Sequence, residues 1–142
     1  MHWKEEYSIG IEDIDNQHRV LLDYFSLIED SVAGGGSWSS LHFILIQLHD
    51  FARIHFSVEE ALMRMYAYPG SNDHISQHQG FFAKVKELEQ QSLTADVTKG
   101  TVEFLHHWLL QHITKADKGY AQHIANGAPI VLTKAAGRAA QA

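Results

Sequence analysis

Hydrophobic residues recur every three or four positions in four long segments, which are separated by short polar or glycine-rich stretches. This spacing predicts four amphipathic helices. The first helix should start near Asp15 or Asn16, which are both good N-cap residues, and should end at glycines 34–36. The starts and ends predicted for the other three helices are Ser37 or Ser39 to Tyr66, Ser71 or Asn72 to Gln91, and Thr94 to Asn126.

The order of these segments predicts the fold. Four helices joined by short loops favour an all-α, antiparallel up-down-up-down four-helix bundle. Residues 1–14 place Trp3 and Tyr7 among charges, which indicates an N-terminal arm that packs its aromatic rings on the core. After Asn126 the pattern fades into small residues, so we expect a helical domain over 1–126 and a flexible tail over 127–142.

Length and charge limit the partners that the chain can have. The 142 residues fit one domain, and the net charge of −6 argues against nucleic acid or an anionic membrane as the main partner. Cysteine is absent, which excludes disulfides and thiolate metal sites. No apolar leader follows Met1, so we expect a cytoplasmic protein, and the sequence does not indicate a protein partner.

Histidine changes this picture, because the chain has 11 of them. When the predicted helices are drawn as wheels, five histidines fall on faces that point to the core: His18, His55, His74, His78 and His112. Five unpartnered imidazoles inside one small bundle would be costly to desolvate. A shared metal centre would remove that cost, because it gives a ring nitrogen of each histidine a partner.

Two spacings support such a centre. His55 and Glu59 lie four residues apart, as do His74 and His78, so each pair projects from one face of a helix one turn apart. Either spacing alone occurs easily by chance. Their combination on the core faces of successive helices, with His18 and His112 also directed inward, is the specific signal.

Asp117 is a less certain seventh candidate. It follows His112 by five residues, which is about 140° away on an ideal helix. It is therefore either a solvated residue between Lys115 and Lys118, or an inward residue if a local π-bulge closes the gap. A π-bulge brings residues five apart into line and often marks a functional site.

The number of candidate ligands indicates more than one ion. Five imidazoles and two carboxylates exceed the four ligands of a zinc site, but they suit two octahedral ions that share bridging groups. Mixed imidazole and carboxylate ligands suit first-row metals such as iron. If both carboxylates and one hydroxide bridge the ions, three histidines complete the six positions of one ion. The other ion, with two histidines, keeps an open position for a small ligand.

With these residues at these spacings, the chain resembles the bacterial hemerythrins over residues 7 to about 124. The segments that carry the resemblance are Ile14-Asp15-Asn16-Gln17-His18, His55-Phe56-Ser57-Val58-Glu59-Glu60, His74-x-x-x-His78-x-x-Phe81 and Trp108-Leu109-x-x-His112-Ile113-x-x-x-Asp117. The resemblance implies a non-haem centre of two iron ions with a bridging oxo or hydroxo group, which binds dioxygen reversibly. It also favours Asp117 as a ligand.

The resemblance further implies a role for each ligand. His74, His78 and His112 would hold the fully coordinated iron, His18 and His55 the iron with the open position, and Glu59 and Asp117 would bridge them. The apolar residues expected around the open position are Leu21, Trp108, Leu109 and Ile113.

Three functions are compatible with such a centre. The leading hypothesis is a dioxygen carrier, store or delivery protein that is not an enzyme. Few anionic ligands surround the predicted centre, and the Glu103-x-x-His106 pair lies off the core, so reversible binding is favoured over oxygenase chemistry. The alternatives are an oxygen- or redox-sensing signalling module, and a di-iron enzyme that acts on nitric oxide or peroxide.

Overall fold

The structure, a computed structural model, describes residues 2–34, 38–93 and 99–131, with the side chains of residues 38 and 39 left aside. Its helical elements are a 3₁₀ turn at Glu5–Tyr7, α1 at Glu12–Ala33, α2 at Trp38–Met65, α3 at Ser71–Gln91, α4 at Lys99–Gln111, a π-helical segment at His112–Asp117 and α5 at Lys118–Ala125. The backbone stays helical at both ends of the π-helical segment, so α4, this segment and α5 form one rod. The predicted all-α four-helix bundle is confirmed.

Most helix ends agree with the sequence pattern. Helix α3 has the predicted bounds, and α1 ends where Gly34 N–H donates to Asp30 O over 2.9 Å. Helix α2 begins at Trp38 and already includes Ser39, so the expectation that Ser39 caps this helix is wrong. The other expected caps, Ser37 and Thr94, lie outside the described residues, as do residues 132–142 of the predicted tail.

The predicted start of α1 is wrong by one turn. The helix begins at Glu12, and its N-cap residue is Ile11, which makes no side-chain capping hydrogen bond. The buried carboxylate of Asp15 instead accepts hydrogen bonds from the Ser8 hydroxyl and from Ile9 N–H, so it fastens the preceding arm to the helix. The acidic residues of the first turn also complement the positive end of the helix dipole.

The N-terminal arm packs on the bundle as the sequence indicates. Tyr7 is buried in the main core and Trp3 packs beside it, with the guanidinium carbon of Arg19 4.5 Å from the centre of the Trp3 ring. At the far side of the arm, Lys118 Nζ donates to Glu6 O over 2.8 Å. The arm is therefore tied to both α1 and α5.

The core has two parts along the bundle axis. A large cluster of Leu, Phe, Val and Ile side chains fills the bundle around Leu48 and Phe25. A smaller cluster lies near the end of α2 and contains Met63, Tyr120 and Ala121. No helix in the described part of the chain is both long and apolar enough to cross a membrane.

Candidate metal centre

The seven residues singled out in the sequence come together inside the bundle. Helix α1 supplies His18, α2 supplies His55 and Glu59, and α3 supplies His74 and His78. The π-helical segment supplies His112 and Asp117. All seven are at most 3% exposed. Each of the four rods thus contributes at least one donor atom to a single buried region.

The π-helical segment explains how Asp117 reaches this region. An ideal helix would turn it away from His112, but the wider π turn aligns the two residues, and His112 Nε2 lies 3.1 Å from Asp117 Oδ1. Asp117 is completely buried. The predicted π-bulge is confirmed, and the alternative of a solvated Asp117 is wrong.

The donor atoms form two overlapping groups. The three-histidine group contains His74, His78 and His112 together with Glu59 and Asp117. The two-histidine group contains His18 and His55 with the same two carboxylates. Within each group the candidate ligand atoms all lie within 4.8 Å of one another. Two adjacent subsites that share both carboxylates can hold two cations.

Hydrogen bonds on the outer ring nitrogens orient three of the histidines. His55 Nδ1 lies 2.7 Å from Gln17 Oε1, and His112 Nδ1 lies 2.9 Å from Gln77 Oε1. His78 Nδ1 lies 3.1 Å from Glu60 Oε2. Because these oxygens are acceptors, each Nδ1–H donates outward, and Nε2 of each ring points to the interior.

The inward-facing ligand atoms lie close to one another, and His18 Nε2 and His74 Nε2 are 3.1 and 3.0 Å from the oxygens of Asp117. His78 Nε2 and His112 Nε2 face each other over 3.1 Å, and His55 Nε2 lies 3.0 Å from Glu59 Oε1. Within the described part of the chain, no hydrogen bond satisfies Nε2 of His18, His55 or His74, nor the buried oxygens of Asp117. Lone pairs that converge in a dry interior repel one another. A cation between them removes this repulsion, so the donor set fits a metal.

The charges of the two carboxylates support the same conclusion. Burial by itself would raise the pKa of Asp117, but His112, His18 and His74 together outweigh it and hold that pKa well below its ordinary value. Burial and the charge of Asp117 would raise the pKa of Glu59, but His55 and His78 together lower it overall. Both carboxylates are therefore anionic, and their countercharge is either protons on the histidines or metal ions that replace those protons.

Comparison with known proteins agrees with this geometry. Residues 9–124 match the family described as Hemerythrin HHE cation binding domain. The chain belongs to the hemerythrin family. It is 29% identical to a bacteriohemerythrin of Pseudomonas paraeruginosa over 123 residues, which are 86% of this chain and 80% of that protein. It is also 29% identical to myohemerythrin-1 of Phascolopsis gouldii over 119 residues, which are 83% and 89% of the two chains.

A solved wild-type hemerythrin has the same fold. Its crystal structure superimposes with a TM-score of 0.80 at 27% sequence identity, and the match covers 88% of this chain and 98% of that one. The matched region of the hemerythrin family thus includes the four rods and all seven candidate ligands. The family resemblance predicted from the sequence is confirmed.

The apolar residues predicted beside the centre do not all occupy the same place in this hemerythrin fold. Leu21, Leu109 and Ile113 are completely buried in the main core, as expected. Trp108 is half-buried and stacks on His112, with ring centres 4.8 Å apart and planes inclined by 7°. Its ring therefore contacts one candidate ligand of the three-histidine group, and its expected place beside the open position stays a prediction.

Two further side chains contact the candidate ligands but were not identified as neighbours of the site from the sequence. Phe56 stacks on His78 at a ring-centre distance of 3.8 Å and an inclination of 6°. The Tyr120 hydroxyl donates to Glu59 Oε2 over 2.6 Å in the buried interior. The helical pattern places Tyr120 on a core face but leaves Phe56 about 100° from His55, and it does not reveal which ligand either side chain touches.

The remaining histidines lie apart from the centre. His106 Nδ1 pairs with Glu29 Oε1 over 2.7 Å, and His49 Nδ1 pairs with Glu89 Oε1 over 2.9 Å. His123 Nε2 donates to Tyr66 O over 2.8 Å near the end of α5. Glu103 is exposed, as expected, whereas His106 is half-buried and lies with its ring centre 6.1 Å from that of Phe25.

Proposed function

We propose that this chain binds dioxygen reversibly at a centre of two iron ions, as a carrier, store or delivery protein and not as an enzyme. The observation that carries the proposal is the pair of overlapping donor groups that share Glu59 and Asp117. Three imidazoles serve one subsite and two serve the other, so the second has one protein ligand fewer. A small molecule would bind there.

The donor set favours iron over the other common metals. Imidazole together with carboxylate suits first-row transition metals, whereas zinc prefers four ligands in a closed site. Under this proposal His74, His78 and His112 hold one iron, and His18 and His55 hold the other. Glu59 and Asp117 would serve both ions, together with the oxo or hydroxo group that the family resemblance implies. When bound, the iron pair would supply the electrons that dioxygen binding requires.

The surroundings of the centre support binding without turnover. Leu21, Leu109 and Ile113 are at most 1% exposed in the main core, and each lies within three residues of a candidate ligand, so we expect them to form an apolar wall beside the centre. A dry wall hinders water and protons from reaching the ligand, which protects the centre from irreversible oxidation.

Anaerobic iron loading followed by exposure to air tests the proposal. We expect about two iron ions per chain and a visible absorption spectrum that appears in air and disappears under argon through repeated cycles. A metal-free protein after loading would contradict the proposed centre. An iron-loaded protein whose spectrum changes once and does not return would contradict reversible binding.

A signalling role is a second candidate, because the N-terminal arm is fastened next to the centre. Lys118, which donates to Glu6 O of the arm, directly follows Asp117, and Asp15, which holds Ser8, lies one turn before His18. A shift of either ligand could therefore reach the arm. If the arm gives the same protease cleavage rate with the centre reduced, oxidised and oxygenated, this candidate fails and the carrier remains.

A cytoplasmic location, expected from the sequence, completes the proposal. Fractionation of the native host cells, with detection of the chain by antibody, tests it. Recovery with the cytoplasmic fraction is expected, and recovery with the membrane or external fraction would contradict it.

A further inference from the structure

The outer partners of the oriented histidines differ in charge. Gln17 and Gln77 are neutral amides that accept from His55 and His112, whereas Glu60, which accepts from His78, is a carboxylate. Glu60 is not one of the candidate ligands, and its side chain is 25% exposed, whereas His78 is 1% exposed.

This difference separates the two donor groups. His78 belongs to the three-histidine group, so that group has an anionic partner behind one of its rings. In the two-histidine group, His55 has only the neutral amide of Gln17, and Nδ1 of His18 has no hydrogen-bond partner among the described residues. The two subsites are therefore unequal in the charge behind their ligands as well as in the number of their histidines.

A carboxylate behind a ligating imidazole changes the ligand itself. It draws the Nδ1 proton outward, raises the electron density on Nε2 and makes that nitrogen a stronger donor to a metal. Hydrogen bonds to an ionised acceptor are also about twice as strong as neutral ones. An amide in the same position keeps the hydrogen bond but supplies no charge.

The position of the His78 ring is also well fixed. Phe56 stacks on one face of the ring with nearly parallel planes, which restricts tilting. The bond from Nδ1 to Glu60 Oε2 then restricts rotation within the plane. Because both restraints act on one ring, the charge of Glu60 is directed along a fixed axis to the interior.

We propose that Glu60 is a positioning residue whose negative charge acts through His78 and makes the three-histidine subsite the tighter of the two for a divalent metal. This inference rests on the proposed two-ion centre. It concerns the order and strength of metal binding, which the proposed function leaves open.

Stepwise titration of the metal-free protein with Co²⁺, without oxygen, tests the inference through the visible bands of bound cobalt. We expect two binding steps of unequal affinity in the native chain. Glu60→Gln keeps the hydrogen bond and removes the charge, so it should weaken the tighter step by about tenfold or more and leave the weaker step unchanged. Thermal unfolding of the metal-free variant checks that it folds.

Two further variants assign the steps. His18→Ala should abolish the weaker step and leave the tighter one, which identifies the latter with the three-histidine group. Gln17→Glu places a carboxylate behind His55, so it should strengthen the weaker binding step. The difference in Co²⁺ affinity between the two steps should then become smaller. Failure of Gln17→Glu to move either step would contradict the role of charge.

The outcomes separate this inference from the proposed centre. If Glu60→Gln binds both Co²⁺ ions as the native chain does while Glu60→Ala is weakened, only the hydrogen bond matters and the inference is wrong. If the native chain binds two Co²⁺ ions with equal affinity, the inference is also wrong and the two-ion centre stands. If it binds fewer than two, the proposed centre itself is contradicted.

Discussion

The Tyr120 hydroxyl donates a hydrogen bond of 2.6 Å to Oε2 of Glu59, and both residues are completely buried. The bond joins α5 to α2 across the bundle, next to the two candidate subsites. Burial raises the pKa of Tyr120 above its ordinary value of 10.0, and the charge of Glu59 raises it further. Tyr120 therefore stays protonated in the folded protein at alkaline pH.

This relationship predicts a loss of stability in alkali. Because the folded pKa of Tyr120 lies above the unfolded value, its contribution is complete below pH 10 and is lost as the pH rises above that value. We expect Tyr120→Phe to lower the free energy of unfolding by about 1–3 kcal/mol at pH 8. The difference from the native chain should then shrink by about 1.4 kcal/mol per pH unit above 10. Urea unfolding at several pH values measures it, and a difference that is constant from pH 8 to 11 would contradict the assignment.

Removal of a shared carboxylate should cost metal. Asp117→Ala takes one donor from both groups, so we expect the loss of at least one of two bound iron ions and a lower unfolding temperature of the loaded protein. Glu103→Ala removes an exposed carboxylate from the same rod and should leave both quantities unchanged. Metal analysis and thermal unfolding measure the two effects. Full iron content in Asp117→Ala would remove this residue from the ligand set.

The apolar wall should govern how long the centre survives in air. Ile113 is fully buried, and Ile113→Thr places a hydroxyl group there that can hold water. We expect several-fold faster autoxidation with unchanged iron content. Ile113→Val, which has nearly the same size as the threonine variant but no hydroxyl, should autoxidise at close to the native rate. Equal rates in the two variants would attribute the effect to lost volume, and loss of iron would give Ile113 a different role.

The arm should depend on one carboxylate. Asp15→Ala removes the acceptor for the Ser8 hydroxyl and for Ile9 N–H, so we expect a loss of about 1–3 kcal/mol in the free energy of unfolding. Chymotrypsin should also cleave faster after Tyr7, which is buried in the native arm. Asp13→Ala, at an exposed position of the same turn, is the matched control. Equal cleavage rates in the two variants would show that Asp15 does not hold the arm.

The helices and the inward histidines could be predicted because both follow from periodicity. A residue at a position on the apolar face of a helix must point to the core, whichever element the helix packs against. Asp117 shows where this reasoning stops. Its inward position depends on one π turn, which strict periodicity does not contain, and the sequence left it open until a family pattern favoured it.

The outer partners of the histidines lay beyond such reasoning. Gln17, Glu60 and Gln77 are each adjacent in sequence to a candidate ligand, but each binds a histidine of another helix. Which ring a side chain reaches depends on the distance and rotation between helices, and neither is encoded in the pattern of one helix. The prediction of where α1 starts was wrong for a related reason. The Asp15 side chain accepts a hydrogen bond from the arm and does not cap its own helix.

Anomalous diffraction at the iron edge, from crystals of the iron-loaded protein, tests the two-ion centre most directly. We expect two anomalous peaks about 3.5–4 Å apart. One should lie beside His74, His78 and His112, and the other beside His18 and His55, with Glu59 and Asp117 between them. A single peak, or two peaks without Glu59 and Asp117 between them, would contradict the two-ion centre.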